Sequence, residues 1–164
     1  MFNQENFVLK GNSYKIRKAL TNFHVLIKPA FKDSFEKGRP RNGMFIAIPQ
    51  YLKNNLEDVS PQHWRIQAAV FTCESYKLLF INSYFPVDDR HTLNGNVNEL
   101  VETLEVVKNV IEKNPCDHLL FLGDLNAEFL RNSPHCQNIR SFVHNSDLQH
   151  SWSILTLILL IIKK

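Results

Sequence analysis

Two apolar patterns organise the chain. Between Val97 and Lys113, the residues Val97, Leu100, Val101, Leu104, Val107, Val110 and Ile111 recur at helical spacing, while Glu99, Glu102, Glu105, Lys108 and Glu112 fall on the wet face. That spacing predicts an amphipathic helix over 97–113. Just downstream, Leu119-Leu120-Phe121-Leu122 is an unbroken apolar run closed by Gly123, which predicts a strand at His118–Leu122 covered on both faces. Trp64–Thr72 and Lys77–Asn82 flank the turn Cys73–Tyr76 and read as an antiparallel hairpin whose second strand is largely buried. Phe23–Ile27 and Met44–Ile48 read as strands, the latter stopped by Pro49. Asn12-Ser13 offers an N-cap for a short helix over Tyr14–Leu20. A second helix is expected near Pro134–Val143 and a short strand at Asp147–Trp152, with Pro29–Arg41 as a polar, basic loop. A hairpin combined with a helical crossover predicts a mixed α/β class, its sheets covered by helices.

Composition narrows the picture without changing it. A chain of 164 residues, 44% hydrophobic and 21% charged, is of single-domain size and can bury a real core. Its net charge of +3 hides an asymmetry: residues 1–41 hold nine Lys/Arg against three Asp/Glu, and the remainder ten against thirteen. Lys10, Lys15, Arg17, Lys18, Lys28, Lys32, Lys37, Arg39 and Arg41 read either as one face for a polyanion or as ordinary solvated surface. Three cysteines, Cys73, Cys116 and Cys136, have no metal spacing, and their odd number argues for a reducing compartment. No apolar segment of signal-peptide type opens the chain, so an intracellular location is expected, with the nucleus as one candidate. Ile154–Ile162 is an apolar run of nine residues, about half of a membrane span, and no membrane association is expected.

Chemistry concentrates where apolar runs stop. In Gly123-Asp124-Leu125-Asn126 an acid and an amide stand two positions apart, and both side chains would point the same way if the strand persisted through Leu125. Gly123 would let another group approach the backbone closely. Such an edge suits phosphate and metal; the plainer reading is a turn cap. Asn82-Ser83-Tyr84-Phe85-Pro86 and Gln4-Glu5 are two further polar segments at strand ends. Taken singly, Tyr84 is equally a core aromatic and Glu5 an exposed acid.

In this order and spacing the three segments resemble the endonuclease/exonuclease/phosphatase superfamily, which contains abasic-site endonucleases and deoxyribonuclease I. Gly38-Arg39-Pro40-Arg41-Asn42-Gly43-Met44 and Ile81–Asp88 are similar to stretches of the endonuclease domains of non-LTR retrotransposons. The resemblance runs from about Gln4 to Trp152. It implies a four-layer α/β sandwich with two mixed sheets, DNase I-like, spanning 1–152 and followed by an apolar tail over 153–164. It also implies hydrolysis of a DNA phosphodiester by in-line attack of water, which needs an activated nucleophile and neutralised phosphate oxygens. On this resemblance Glu5 ligates Mg²⁺, with Mn²⁺ as the alternative. Asp124 orients and deprotonates the water, Asn126 donates to the phosphate, and Tyr84 presents its hydroxyl to it. Arg39 and Arg41 are assigned to the nucleic-acid backbone on charge alone. No obligate protein partner is implied.

The same comparison predicts departures. The superfamily carries a catalytic Asn on a strand before Gln-Glu, and an Asp and a Ser-Asp-His signature after the equivalent of Trp152. None has a counterpart here, and Val87 stands where abasic-site enzymes place an Asn. The expectation is therefore a fold incomplete at both ends and weak catalysis. Two other functions fit the residues: a non-enzymatic relic or nucleic-acid-binding module, and a phosphatase acting on sugar or lipid phosphates.

Overall fold

The computed structural model describes residues 1–4, 8–30, 43–88, 96–127, 132–146, 149–151 and 159–163. Its strands are β1 (Phe2–Gln4), β2 (Phe23–Lys28), β3 (Met44–Pro49), β4 (Leu56–Asp58), β5 (Ile66–Thr72), β6 (Lys77–Tyr84), β7 (His118–Asp124), β8 (Gln149–Ser151) and β9 (Leu159–Lys163). Its α-helices are α1 (Tyr14–Ala19), α2 (Val97–Lys113) and α3 (Pro134–Asn145). The strands form two sheets, ordered β1-β3-β2 and β4-β5-β6-β7-β9-β8. Described pairings in the first sheet are antiparallel, and the second is mixed because β6 and β7 run parallel on either side of the α2 crossover.

Period-two burial fixes the layers. Ile66, Ala68 and Val70 of β5, Leu79 and Ile81 of β6, and Leu119 and Phe121 of β7 pack with Leu100, Leu104, Val107 and Val110 of α2 and with Ile139 and Val143 of α3. Full burial of such side chains stabilises by roughly 2 kcal/mol each, and the 97–113 periodicity is obeyed at these four positions of α2, whereas Val101, expected on the same face, is 41% exposed and Thr103 is buried in its stead. Alternate residues turn to the other face: Phe80 meets Phe2 of β1 at 5.5 Å between ring centroids, and Gln67 Nε2 donates to the Leu26 carbonyl at 2.9 Å. On the far side of the first sheet, Ile16 of α1 packs with Val25, Phe45 and Ala47. The order of layers is thus α1, small sheet, large sheet, α2 with α3.

Lys28, at the end of β2, fastens the two sheets together. Its ammonium donates to the carbonyls of Pro61 at 2.8 Å and His63 at 2.7 Å, and also to that of Ile66. Burial pulls its pKa from 10.5 to about 8, opposed by nearby Asp58. This removes Lys28 from the basic surface to which its sequence neighbours belong.

Several boundaries differ from those expected. β6 and β7 each run two residues further, to Tyr84 and Asp124, because parallel pairing continues through Ser83↔Gly123 and Tyr84↔Asp124. Ser13 does not cap α1: a 3-10 turn over Lys10–Asn12 leads into the helix, Ser13 already has helical angles (φ −59°, ψ −23°), and its side chain makes no capping bond. At α3 the cap is Ser133, whose hydroxyl accepts from Cys136 N–H at 3.2 Å, with Pro134 in the first turn. β1 and β4, three residues each, fall in no periodic run. The backbone of Leu159–Lys163 in the apolar tail pairs with both β7 and β8. Among the described residues, no helix is long and apolar enough to cross a membrane.

Candidate active site

A chain of backbone pairings brings the polar strand ends together. Gln4 pairs with Met44, which pairs with Lys28; Lys28 reaches Ile66, Ile66 pairs with Ser83, and its neighbour Tyr84 pairs with Asp124. Tyr84, Asp124 and Asn126 therefore share one end of the sandwich, and β1 runs toward the same end. By period-two alternation, Tyr84 and Asp124 lie on the face of the large sheet that turns toward the small one, as do Asn82 and Leu122 upstream. Glu5, Arg39 and Arg41 lie outside the described residues.

The Asp124–Asn126 arrangement is a turn as well as a polar edge. The strand stops at Asp124, and Asn126 takes left-handed angles with φ 47°, a conformation that asparagine tolerates better than most residues. Its N–H donates to Asp124 Oδ1 at 2.9 Å, and its Nδ2 donates to the Phe85 carbonyl at 2.7 Å. Phe85 N–H in turn donates to the Asp124 carbonyl at 2.8 Å. The loops after β6 and β7 are thereby locked together. The two side chains do not project in parallel as strand geometry would have required, because the backbone turns at Leu125.

Arg65 braces Tyr84 from the other side. Tyr84 N–H donates to the Arg65 carbonyl at 3.0 Å, and Arg65 Nη1 donates to the Tyr84 carbonyl at 3.2 Å. Arg65 is buried; its guanidinium stacks 3.7 Å above the Trp64 ring and is paired with Glu99 of α2 through Nε at 2.9 Å and Nη2 at 2.8 Å. Burial lowers the pKa of Arg65 and Glu99 raises it. This brace is illegible in the sequence, since Arg65 and Glu99 stand 34 positions apart.

A second bracket lies behind the turn. Ser133 Oγ donates to Asp88 Oδ2 at 2.9 Å, tying the loop after β6 to the start of α3. His135 is 1% exposed, and neither ring nitrogen makes a well-formed hydrogen bond. Burial pushes its pKa down, while Asp88 and the Leu125 backbone push it up. Among the described residues, no three His, Cys, Asp or Glu side chains converge as a metal site would require. A groove of about 430 Å³ between α2 and α3, lined by Leu104, Lys108 and Phe142 among others, contains none of the strand-end groups.

Two sheets in a four-layer stack of mixed α/β type make a DNase I-like fold, and solved structures share it. The chain is similar to the human Nocturnin catalytic domain, with 13% identity and a TM-score of 0.61 over 99% of this chain and 68% of that one. It is similar to the endonuclease domain of TRAS1, a telomere-specific non-LTR retrotransposon, with 12% identity and a TM-score of 0.55 over 85% and 67% of the two chains. It is also similar to TDP2 from Caenorhabditis elegans, with 15% identity and a TM-score of 0.54; 92% of this chain is covered, but it spans only 42% of that one. A Danio rerio TDP2 with the same fold was solved with a single-strand DNA product. No family model and no curated protein matches the sequence.

Proposed function

We propose that this chain is a nuclease-type domain that hydrolyses phosphodiesters in DNA, related to retrotransposon endonucleases. The observation that carries the reading is the Tyr84↔Asp124 pairing with Asn126 folded against it, which gathers three groups suited to one phosphate at one sheet end. Nuclease-type neighbours with the same fold support it.

In this reading Asp124, whose Oδ1 receives Asn126 N–H, orients and deprotonates the attacking water. Asn126 spends one Nδ2 hydrogen on Phe85 and offers the other to a non-bridging oxygen. Tyr84 donates its hydroxyl to the same phosphate, its backbone held by Arg65. The described donors alone do not make a site for Mg²⁺ or Mn²⁺. Such an ion would require Glu5, one residue beyond the end of β1, and no step is assigned to it. Arg39 and Arg41 remain proposed backbone contacts. Weak turnover is part of the proposal, because the Ser-Asp-His signature that the resemblance calls for finds no match in this sequence. A division into a nuclease-type part, 1–152, and an apolar tail, 153–164, also belongs to it; β9 favours a tail that docks on the sheet.

A second reading, a non-enzymatic nucleic-acid-binding relic, is favoured by the same turn, in which Asp124 and Asn126 both already serve the fold. Nicking of supercoiled plasmid with Mg²⁺ separates the two. Cleavage abolished by EDTA and by Asp124→Asn, which keeps an acceptor for Asn126 N–H, supports the enzyme. No cleavage above an Asp124→Ala control supports the relic.

A further inference from the structure

The basic N-terminal segment has no role in the proposed chemistry, and the structure gives most of it one place. Residues 8–30 and 43–55 contain six Lys/Arg and no Asp or Glu. Lys28 is withdrawn onto its three carbonyls; Lys10, Lys15, Arg17, Lys18 and Lys53 are exposed. α1 packs on β2 through Ile16, and the 3-10 turn Gln50–Asn55 closes on the same strand through Gln50 N–H to the Asn22 carbonyl at 2.9 Å. Both elements therefore meet at the start of β2, an edge strand of the small sheet.

Arg17 and Lys53, from these two elements, converge on His24. After burial, they are the causes that hold its imidazole below the ordinary value. Arg17 is fixed by its Nη1 bond to the Val25 carbonyl at 2.9 Å. Beside them, Tyr51 is 82% exposed and Tyr14, at the start of α1, 59%. On β4, Asp58 is engaged with Ser60 N–H at 3.0 Å and acts on Lys28, and Glu57 is exposed. His24 precedes Lys28 by four residues along β2, so this corner lies about 13 Å from the fastened end of the strand, away from Tyr84 and Asp124.

We infer that the corner formed by α1, the start of β2 and the Gln50–Asn55 turn is a second contact surface for nucleic acid, specifically a single strand. Its exposed cations match the phosphates, and its exposed tyrosine rings match unstacked bases, a combination that a duplex or a phospholipid headgroup uses less fully. The inference concerns binding and stands whether or not the strand-end groups cleave.

The test is fluorescence anisotropy of a labelled oligothymidylate in EDTA, titrated with the full chain over about 50 to 200 mM KCl. Lys15→Glu/Lys18→Glu/Lys53→Glu is expected to weaken binding by tenfold or more and to flatten the salt slope by about 2, from three lost cation–phosphate contacts. Tyr51→Ala is expected to weaken binding about fivefold or more with the slope unchanged. All four substitutions lie at exposed positions, and circular dichroism checks that the variants fold. Unchanged affinity and slope in the triple variant overturn the inference. So does binding by the wild type to phosphatidylserine vesicles, lost in the triple variant, without binding to the oligonucleotide. Because the readout is binding without divalent ions, an inactive protein that loses affinity counts against the proposed cleavage alone, and a nicking protein with unchanged affinity counts against the corner alone.

Discussion

Replacing Lys28 with Met tests how the two sheets are joined. Three carbonyls, those of Pro61, His63 and Ile66, lose their ammonium donor; at about 1 kcal/mol for each net hydrogen bond, the loss is about 3 kcal/mol. Against this stands the cost of burying the charge. A fall in pKa from 10.5 to about 8, discounted for partial exposure to solvent, corresponds to about 2 kcal/mol. Lys28→Met is therefore expected to cost only about 1 kcal/mol at neutral pH. The sign of the pH dependence follows from linkage. Between the folded value near 8 and the unfolded value near 10.5 the unfolded chain holds more protons, so wild-type stability rises with pH through that window relative to the variant. Urea denaturation of both proteins at steps from pH 7 to pH 10.5 should show the gap widening by about 2 kcal/mol. A gap that stays flat or narrows would refute the account of Lys28 as a buried ammonium on three carbonyls.

Three further outcomes are expected. Arg65→Met should destabilise by about 2 kcal/mol and shift Trp64 fluorescence, while Glu99→Gln, which keeps the acceptor, should cost about 1 kcal/mol; equal costs in thermal denaturation would contradict the charge-assisted pair. Asn126→Gly should lose only the bond to Phe85, whereas Asn126→Ala also forces a methyl-bearing residue to φ 47°, making it about 1 kcal/mol worse in chemical denaturation. The lowered His135 pKa means that the unfolded state binds the proton first as pH falls below 6.5, so stability drops there. A His135→Phe variant that folds should lose that part of the acid sensitivity, and an unchanged stability–pH curve would exclude His135 as its source.

The large-sheet side of the fold was the legible part. α2, β6 and β7 bury whole faces, so their periodicity is strong, and the polar residues that interrupt it at Tyr84 and Asp124 sit where the sheet ends. What was hidden depends on partners distant in sequence. β1 and β4 exist because β3 and β5 offer an edge, not because three residues carry a pattern. Lys28 looked like one more surface cation, and only the meeting of the sheets shows it capped by carbonyls. The Gly123–Asn126 segment offered two readings in sequence, and the geometry shows the turn, with Asp124 as its acceptor at the end of β7. Arg65 carried no local signal because its work is done by Glu99 and Trp64 together.

The parallel pairing of β6 with β7 acts as a ruler. Leu79, Ile81, Leu119 and Phe121 commit one face of the two strands to the helices, while Phe80 commits the other to β1. Sliding β7 by a single residue would drive Leu120 and Leu122 into the helical layer and expose the places they left to the wrong neighbours. The alignment of Tyr84 with Asp124 is thus set by apolar residues two to five positions upstream of it. The strand tips are free to change chemistry during evolution without losing their mutual position, and any new pair of side chains placed there inherits the same spacing.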